Sequence, residues 1–278
     1  MPVSRRQLVA AGLAVPFVSA ASLLFAERKP SRQAGGRGGY HSSLVNGFTP
    51  KRVDWAGYSW SADMGSTWNA GMDHSFQYSD KAARFEIDAT PLDRAENDPP
   101  HKRRSEIHCT KTLLPNGVPL WGAMSFNHHG WSDPAGMAQL EGGAHGQVHM
   151  HKFGGSPALA FRRHGDGRFL VTTRGELDQK NNKRWIGQVP FNQVHDLVYR
   201  LLLDPSNGQL DVWLDGSRIV SLRGASIGSS VGGCYWCIGC YYGDGVTCPV
   251  VAEFANHEFP SQRGLSRRIT AAPAWPAA

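Results

Sequence analysis

The sequence predicts an all-β fold, a two-sheet antiparallel β-sandwich of jelly-roll type. The chain has 278 residues, of which 32 are glycine, 17 are proline and 9 are tryptophan. Glycine and proline interrupt helices, whereas broad aromatic side chains suit pleated surfaces. Short alternating segments recur between turn residues, with no long helical period and no internal repeat. About a dozen such strands suit one sandwich domain.

Turn residues divide the alternating segments. The stretch "HGDG" separates "SPALAFRR" from "RFLVTT", which is typical of a β-hairpin. Further along, Asn207-Gly208 and Asp215-Gly216 predict two turns that separate three consecutive strands. These signals account for the middle of the chain without any helix.

The first residues have the composition of an export signal. Arg5 and Arg6 precede an apolar run, so residues 1–26 resemble a bacterial twin-arginine signal. A transmembrane anchor is the alternative, because the run nearly reaches the ~20 residues that span a bilayer. Pro16 and the many alanines and serines favour the signal. We therefore expect a periplasmic or secreted protein with no stable membrane anchor after processing.

Composition also sets the expected domain limits. Residues 27–44 are basic and glycine-rich, which predicts a flexible linker. Residues 45–260 carry the strand patterns and form the predicted sandwich domain. Residues 261–278 are a C-terminal tail of a composition similar to that of the linker.

The cysteines do not have the arrangement of a shared metal site. Five are present: Cys109, Cys234, Cys237, Cys240 and Cys248. On a strand, a spacing of three residues sends successive side chains to opposite faces, so Cys237 points away from Cys234 and Cys240. We expect the cysteines to be small buried residues. The sequence does not decide between a Cys240–Cys248 disulfide and free thiols.

One predicted strand, "HGQVHMHKF", carries polar side chains on a single parity. Val148 and Met150 alternate with a polar row made up of His145, Gln147, His149 and His151. The row predicts either a ligand-binding groove, a solvated sheet face or a metal site. His145 and His151 lie about 20 Å apart along a regular strand, so they cannot share one ion. We expect no metal and no cofactor.

Three short motifs carry a family resemblance. "RSEI" at 104–107, "QVH" at 147–149 and "YWCIGCYY" at 235–242 resemble, in that order, the signature strands of jelly-roll polysaccharide lyases. Alginate lyases, glucuronan lyases and heparin-lyase-like proteins share these patterns on a concanavalin A-like jelly roll. Each motif alone is weak, but three in family order are more specific. The resemblance implies cleavage of a uronate polymer by β-elimination.

The resemblance assigns roles to four residues. Arg104 and Gln147 are expected to neutralise the uronate carboxylate, since an arginine fork and an amide both donate hydrogen bonds to it. His149 and Tyr241 are expected to act as base and acid. The expected substrate-binding residues are Glu106, His151, Tyr235 and Lys152. Glu106 is the expected partner that orients Arg104.

One position departs from the family pattern. Cys237 stands where the pattern usually has lysine, so a positive charge near the substrate is missing. Arg84, Arg162 and Arg163 are candidates to replace it, but the sequence does not locate them at the groove.

The formal charge of +6 predicts affinity for a polyanion. No nucleic-acid recognition motif is present. An acidic polysaccharide such as alginate, glucuronan or a glycosaminoglycan is therefore the expected partner of a monomeric protein.

Two other functions stay open. A non-catalytic carbohydrate-binding protein of the same fold is favoured by the loss of the lysine. A laminarinase-type glycoside hydrolase requires paired carboxylates on one strand. Glu86 and Asp88 begin such a pattern, but Pro91 stands where the second glutamate belongs, which disfavours hydrolysis.

Overall fold

Two eight-stranded antiparallel sheets make up the fold in a computed structural model. The residues that the structure describes are 41–42, 53–64, 75–79, 81–87, 103–133, 142–152, 157–243 and 246–276. All lie in one of the two units into which the chain divides, residues 33–278. The predicted export signal lies outside the described residues. Within them, no helix has the length and apolarity needed to cross a bilayer.

In the part of the chain that the structure describes, strands follow one another and a short helix comes at the end. They are β1 (His41–Ser42), β2 (Val53–Trp55), β3 (Tyr58–Met64), β4 (Phe76–Tyr78), β5 (Ala82–Ile87), β6 (Arg103–Leu114), β7 (Pro119–His128), β8 (Gly143–Met150), β9 (Leu159–Arg163), β10 (Arg168–Thr173), β11 (Asn182–Gln188), β12 (Val194–Leu202), β13 (Asp204–Leu214), β14 (Ser217–Ile227), β15 (Cys234–Tyr242), β16 (Val250–Ser261) and α1 (Ser266–Thr270). The first sheet has the order β1-β4-β5-β16-β7-β12-β13-β14, and the second has the order β11-β10-β9-β8-β15-β6-β3-β2.

Aromatic side chains from the two sheets meet in the core between them. Phe126 of the first sheet stacks on Phe169 of the second, with ring centroids 5.4 Å apart. Tyr199 and Trp236 lie 5.9 Å apart across the same layer. Trp236 also donates a 2.9 Å hydrogen bond to His257, which satisfies its indole N–H in the apolar interior. This core holds the two sheets face to face and confirms the predicted jelly-roll sandwich.

Two of the predicted turns are confirmed. Residues 164–167 join β9 to β10, and Asp215-Gly216 joins β13 to β14. Asp215 and Gly216 have φ of 48° and 80°, the left-handed pair that a tight hairpin requires.

The turn predicted at Asn207-Gly208 is also confirmed, because Leu202 of β12 pairs with Gln209 of β13 and residues 203–208 reverse the chain between them. Asp204 accepts hydrogen bonds of 2.8 Å from the backbone N–H groups of Ser206 and Asn207, which begins the reversal. Asp204 and Gly208 also pair with β14, where the register shifts on either side of Gly208, so β13 starts at Asp204.

Both limits of the predicted domain contain ordered elements. β1 lies at the end of the segment predicted as a linker. In α1, Arg268 is buried and donates hydrogen bonds of 2.8 Å to Asp196 and 2.8 Å to Glu258. The helix is thereby fixed to the first sheet, while the exact domain limits remain a prediction.

All five cysteines lie in the described part of the chain, are buried and are not bridged. The disulfide left open between Cys240 and Cys248 is therefore not formed. Cys234 and Cys240 belong to the core, and Cys237 lies on the opposite parity of β15, as predicted.

Candidate active site

The three motif strands are neighbours in the second sheet, in the order β8-β15-β6. Their register pairs Tyr241 with Arg104, Cys237 with Gln147 and His108, and Tyr235 with His149. Segments that are far apart in the sequence are thus brought side by side: Tyr235 follows its partner His149 by 86 residues, and Tyr241 follows Arg104 by 137. The sequence predicted the strands but not this pairing.

Strand alternation separates the apolar and polar sides of these strands. Ile107, Val148, Trp236 and Ile238 are buried in the core between the sheets. The opposite side, which we call the motif face, carries Arg104, Glu106, His108, Gln147, His149, Tyr235, Cys237 and Tyr241. Tyr235 and Trp236 therefore lie on opposite sides of β15.

Arg104 and Tyr241 are in direct contact. The guanidinium carbon lies 4.5 Å from the centroid of the tyrosine ring, which is a cation–π arrangement. The same guanidinium has Nη1 3.6 Å from Oε2 of Glu106. Glu106 is therefore within ion-pair distance of Arg104, the residue that it is predicted to orient.

Glu106 is the polar centre of the motif face. Gln147 donates a 2.5 Å hydrogen bond to Oε1, and His108 lies 3.1 Å from Oε2. Burial alone would raise the pKa of Glu106, but the hydrogen bonds of His108 and Gln147 and the charge of Arg104 outweigh it, so this pKa is lowered. Glu106 is a carboxylate at neutral pH. Gln147 keeps its second amide N–H for another acceptor.

His149 has the protonation state that a base requires. Its Nδ1 lies 3.1 Å from the carbonyl oxygen of Met150, which only accepts hydrogen bonds, so Nδ1 carries the hydrogen. Burial is the largest cause that lowers the pKa of His149, and the imidazole is therefore neutral at pH 7. Nε2 then carries the lone pair.

His149 and Tyr241 lie toward opposite ends of the motif face. Tyr241 pairs with Ala144, five residues from His149 on β8, which is about 17 Å along a regular strand. The two side chains must therefore lean toward each other to contact one sugar ring. Arg104, which covers Tyr241 at one end, acts on His149 at the other. Its positive charge contributes to the lowered pKa of His149.

His151 and Lys152 follow the end of β8 and are exposed. The His151 ring lies 5.9 Å from Tyr235, which also contacts His149 at 5.4 Å. Tyr235, His149 and His151 thus form a cluster of rings at this end of the motif face, with Tyr235 in contact with both imidazoles. His151 therefore lies at the edge of this cluster, and its predicted role in substrate binding stays a prediction.

His145 does not belong to the polar row in which the sequence placed it. A register shift between Ala144 and Gly146 turns its side chain into the core, where it is 1% exposed. There Nε2 lies 2.5 Å from the hydroxyl of Tyr242, and the ring lies 4.2 Å from that of His128. A β-bulge reverses parity, and simple alternation does not reveal one.

Only one of the three candidate arginines has the parity of the motif face. Arg162 of β9 alternates with Phe161 of the core and pairs with Ala144, in the row that contains Tyr241. Arg163 is buried in the core, and burial lowers its pKa to about 10. Arg162 is therefore the candidate placed to supply a second cation.

Arg84 is placed elsewhere. It forms a 2.5 Å ion pair with Glu86 on β5 of the first sheet. Glu86 therefore lies on the first sheet, whereas the motif face belongs to the second. Asp88 and Pro91 lie outside the described residues. Nothing in this arrangement favours a hydrolase.

His108 also lies on the motif face, a residue that the sequence leaves open between a substrate-lining and a solvated position. It follows Arg104 and Glu106 at the same parity on β6, and its ring lies 5.9 Å from Tyr235. The period-two spacing of the three residues indicates this shared side of the strand.

Comparison with known proteins supports the fold. No family model and no curated protein matches the sequence. An endo-β-1,4-glucuronan lyase from the fungus Trichoderma reesei matches in structure with a TM-score of 0.50 and 13% identity, over 78% of this chain and 92% of that one. A family 7 alginate lyase, A1-II′, solved in complex with substrate, matches with a TM-score of 0.53 and 13% identity, over 74% and 94%. The chain therefore has the jelly-roll fold of these polysaccharide lyases.

Proposed function

We propose that the protein is a polysaccharide lyase that cleaves an acidic, uronate-containing polysaccharide by β-elimination. The observation that carries the proposal is the assembly of three distant segments into one motif face. There Arg104 contacts Tyr241, and Glu106 binds Gln147. The lyase fold of the structural neighbours supports the same reaction class.

Removal of the uronate C5 proton requires charge neutralisation. The resulting carbanion places negative charge beside a carboxylate, so the carboxylate must first be paired with donors. Arg104 offers a bidentate fork, and Gln147 offers its second amide N–H. Glu106 holds both side chains in place. Arg162 adds a cation in the row of Tyr241.

His149 and Tyr241 then transfer the two protons. The Nε2 lone pair of His149 takes the C5 proton, and the C5–H electron pair forms the C4–C5 double bond. The C4–O4 bond breaks, and the Tyr241 hydroxyl protonates the departing O4. The product is a 4,5-unsaturated sugar at one new chain end and a hydroxyl at the other. No water is consumed.

A panel of polymers tests the reaction. Incubation with alginate, glucuronan and heparin-type glycans is expected to produce the ultraviolet absorbance of an unsaturated uronate with at least one of them. Mass spectrometry of the products then identifies the sugar. A correctly folded protein that remains silent across this panel would contradict the proposal.

Two variants test the assigned roles. His149→Ala and Tyr241→Phe are each expected to lower kcat by about 10²–10⁴-fold, the usual contribution of a general acid or base. Tyr241→Phe keeps the ring that Arg104 covers, so the fold is retained. Tyr78→Phe in the first sheet is the matched control and is expected to keep full activity. Full activity in His149→Ala would remove that residue from the chemistry.

A carbohydrate-binding protein without turnover is the second candidate. Cys237 in place of the family lysine is the observation that favours it. Calorimetry with the same polymers separates the two functions, since binding without unsaturated product would support the non-catalytic one.

A further inference from the structure

The motif face contains a group of three side chains that suit a metal ion. Glu106 and His108 lie on β6, and Cys237 lies directly opposite His108 on β15. One ligand atom from each residue, a carboxylate oxygen, a ring nitrogen and the thiol sulfur, lies within 4.8 Å of the other two. Cys237 comes from a different strand from the other two, so no sequence spacing reveals the whole group.

The distances suit a tetrahedral ion with little movement. Around zinc, nitrogen and oxygen ligands lie about 3.3 Å apart, and a sulfur lies about 3.6 Å from each. Nε2 of His108 and Oε2 of Glu106 are already 3.1 Å apart. The sulfur of Cys237 lies within 4.8 Å of both atoms, so each of its two distances has to shorten by no more than about 1.2 Å to complete three ligands.

Neighbouring groups fix the carboxylate in a ligating orientation. Gln147 donates to Oε1 of Glu106, which directs Oε2 toward His108. Outer hydrogen bonds of this kind orient the ligands of metal sites. Glu106 and Cys237 are each 1% exposed, whereas the His108 side chain is 12% exposed, so an ion would be accessible from the side of the motif face.

We propose that Glu106, His108 and Cys237 bind a divalent transition-metal ion of the zinc class. Thiolate, imidazole and carboxylate together select such ions over magnesium or calcium. Three protein ligands leave a fourth position for water or a substrate oxygen, as in catalytic zinc sites. Binding releases the Cys237 thiol proton to solvent.

The ion would restore the charge that Cys237 removes from the family pattern. A divalent ion adds two positive charges, and deprotonation of the thiol subtracts one, so the net gain equals the charge of one lysine. This role in carboxylate neutralisation rests on the proposed function, whereas metal binding does not. Arg104 keeps its contact with Tyr241 and adds to the positive field.

Cobalt titration of the metal-stripped full chain tests the site. We expect one equivalent of Co²⁺ to bind with the near-ultraviolet absorption of a thiolate–cobalt bond. Cys237→Ala is expected to abolish that absorption. Cys234→Ala is the matched control, because Cys234 is equally buried on the same strand but belongs to the core. Absence of the band, or its persistence in Cys237→Ala, would overturn the site.

Two further variants test the site without changing Cys237, in case Cys237→Ala does not fold. His108→Ala retains the cysteine but removes a ligand, so it is expected to weaken zinc binding in calorimetry. Gln147→Ala removes only the outer hydrogen bond and is expected to weaken zinc affinity by about 10–100-fold. Each variant is compared with the native chain by near-ultraviolet circular dichroism. Unchanged zinc affinity in a folded His108→Ala protein would contradict the site.

Activity measurements distinguish a failure of the metal site from a failure of the proposed lyase function. With a uronate polymer as substrate, the zinc-loaded protein is expected to exceed the stripped protein, and Cys237→Lys is expected to be active with or without zinc. Zinc binding without activity in any form would overturn the proposed function and leave the site. Activity without zinc binding would overturn the site and leave the function.

Discussion

At the scale of single residues, His149 shows how its surroundings set the tautomer and the charge of an imidazole. The Met150 carbonyl fixes the tautomer, and burial keeps the ring neutral. The sequence placed His149 correctly on the polar parity of β8. Its tautomer and its lowered pKa depend on the three-dimensional surroundings, which no periodicity encodes.

The lowered pKa of His149 predicts the acidic limb of the pH–rate profile. A base is active when deprotonated, and its folded pKa lies below the ordinary 6.5, so the active form persists as pH falls through 6.5. We expect kcat/KM on a uronate polymer to stay level through that region and to fall only at lower pH. A limb at or above pH 6.5 would show that His149 is not the titrating base.

His145 marks the limit of parity arguments at this scale. In the sequence it continues the row of Gln147 and His149, but the bulge beside it sends the ring into the core. Alternation predicts orientation only while the register is regular. The bulge is stabilised by contacts with Tyr242 and His128 that lie far away in sequence.

At the scale of elements, the order β8-β15-β6 creates the motif face. Strand alternation predicts each of these strands, and the quoted motifs predict their shared function. Their adjacency requires pairing over long sequence separations, which local patterns do not specify. For the same reason, local sequence patterns do not predict that Cys237 lies close to Glu106 and His108.

Gly239 permits the close approach of β15 to β6. Its φ is +143°, and a Cβ at this position would lie 2.7 Å from Cα of Glu106 and closer still to the Ser105 carbonyl oxygen. Gly239→Ala is therefore expected to lower the free energy of unfolding by about 3 kcal/mol and to reduce activity. Urea denaturation measures the first effect.

The matched control is Gly243→Ala, one residue beyond the end of the same strand, where a Cβ meets no atom within 4 Å. It is expected to change stability by no more than about 0.5 kcal/mol. Equal effects of the two substitutions would refute the steric explanation.

The helix α1 depends on a buried ion pair. Arg268 and Asp196 are 7% and 8% exposed at their side chains, and they lie 2.8 Å apart. Arg268→Ala leaves the Asp196 carboxylate buried without this partner, so we expect a loss of about 3 kcal/mol in the free energy of unfolding. Arg267→Ala, an exposed neighbour, should be nearly neutral. Comparable stability of the two variants would show that the helix does not depend on the pair.

At the scale of the whole molecule, the interior holds several uncharged imidazoles. Burial is the largest cause that lowers the pKa of His145 and of His257 to about 3, and it lowers that of His128 well below 6.5. The unfolded chain therefore binds more protons than the folded one below pH 6.5, and stability falls as pH falls.

Acid destabilisation follows from these buried histidines. Between pH 6.5 and pH 5, His145 and His257 are each expected to remove about 2 kcal/mol from the free energy of unfolding, and His128 acts in the same direction. Urea denaturation at pH 7 and pH 5 measures the difference. A fold that is equally stable at both values, or more stable at pH 5, would show that these rings are protonated in the native state.

The five cysteines have a consequence for how the chain matures. All are buried as thiols, so no covalent cross-link between distant segments holds the sandwich together. The architecture consequently needs no oxidant to form, and the same fold is attainable in reducing and in oxidising surroundings. Dithiothreitol should leave its melting temperature unchanged.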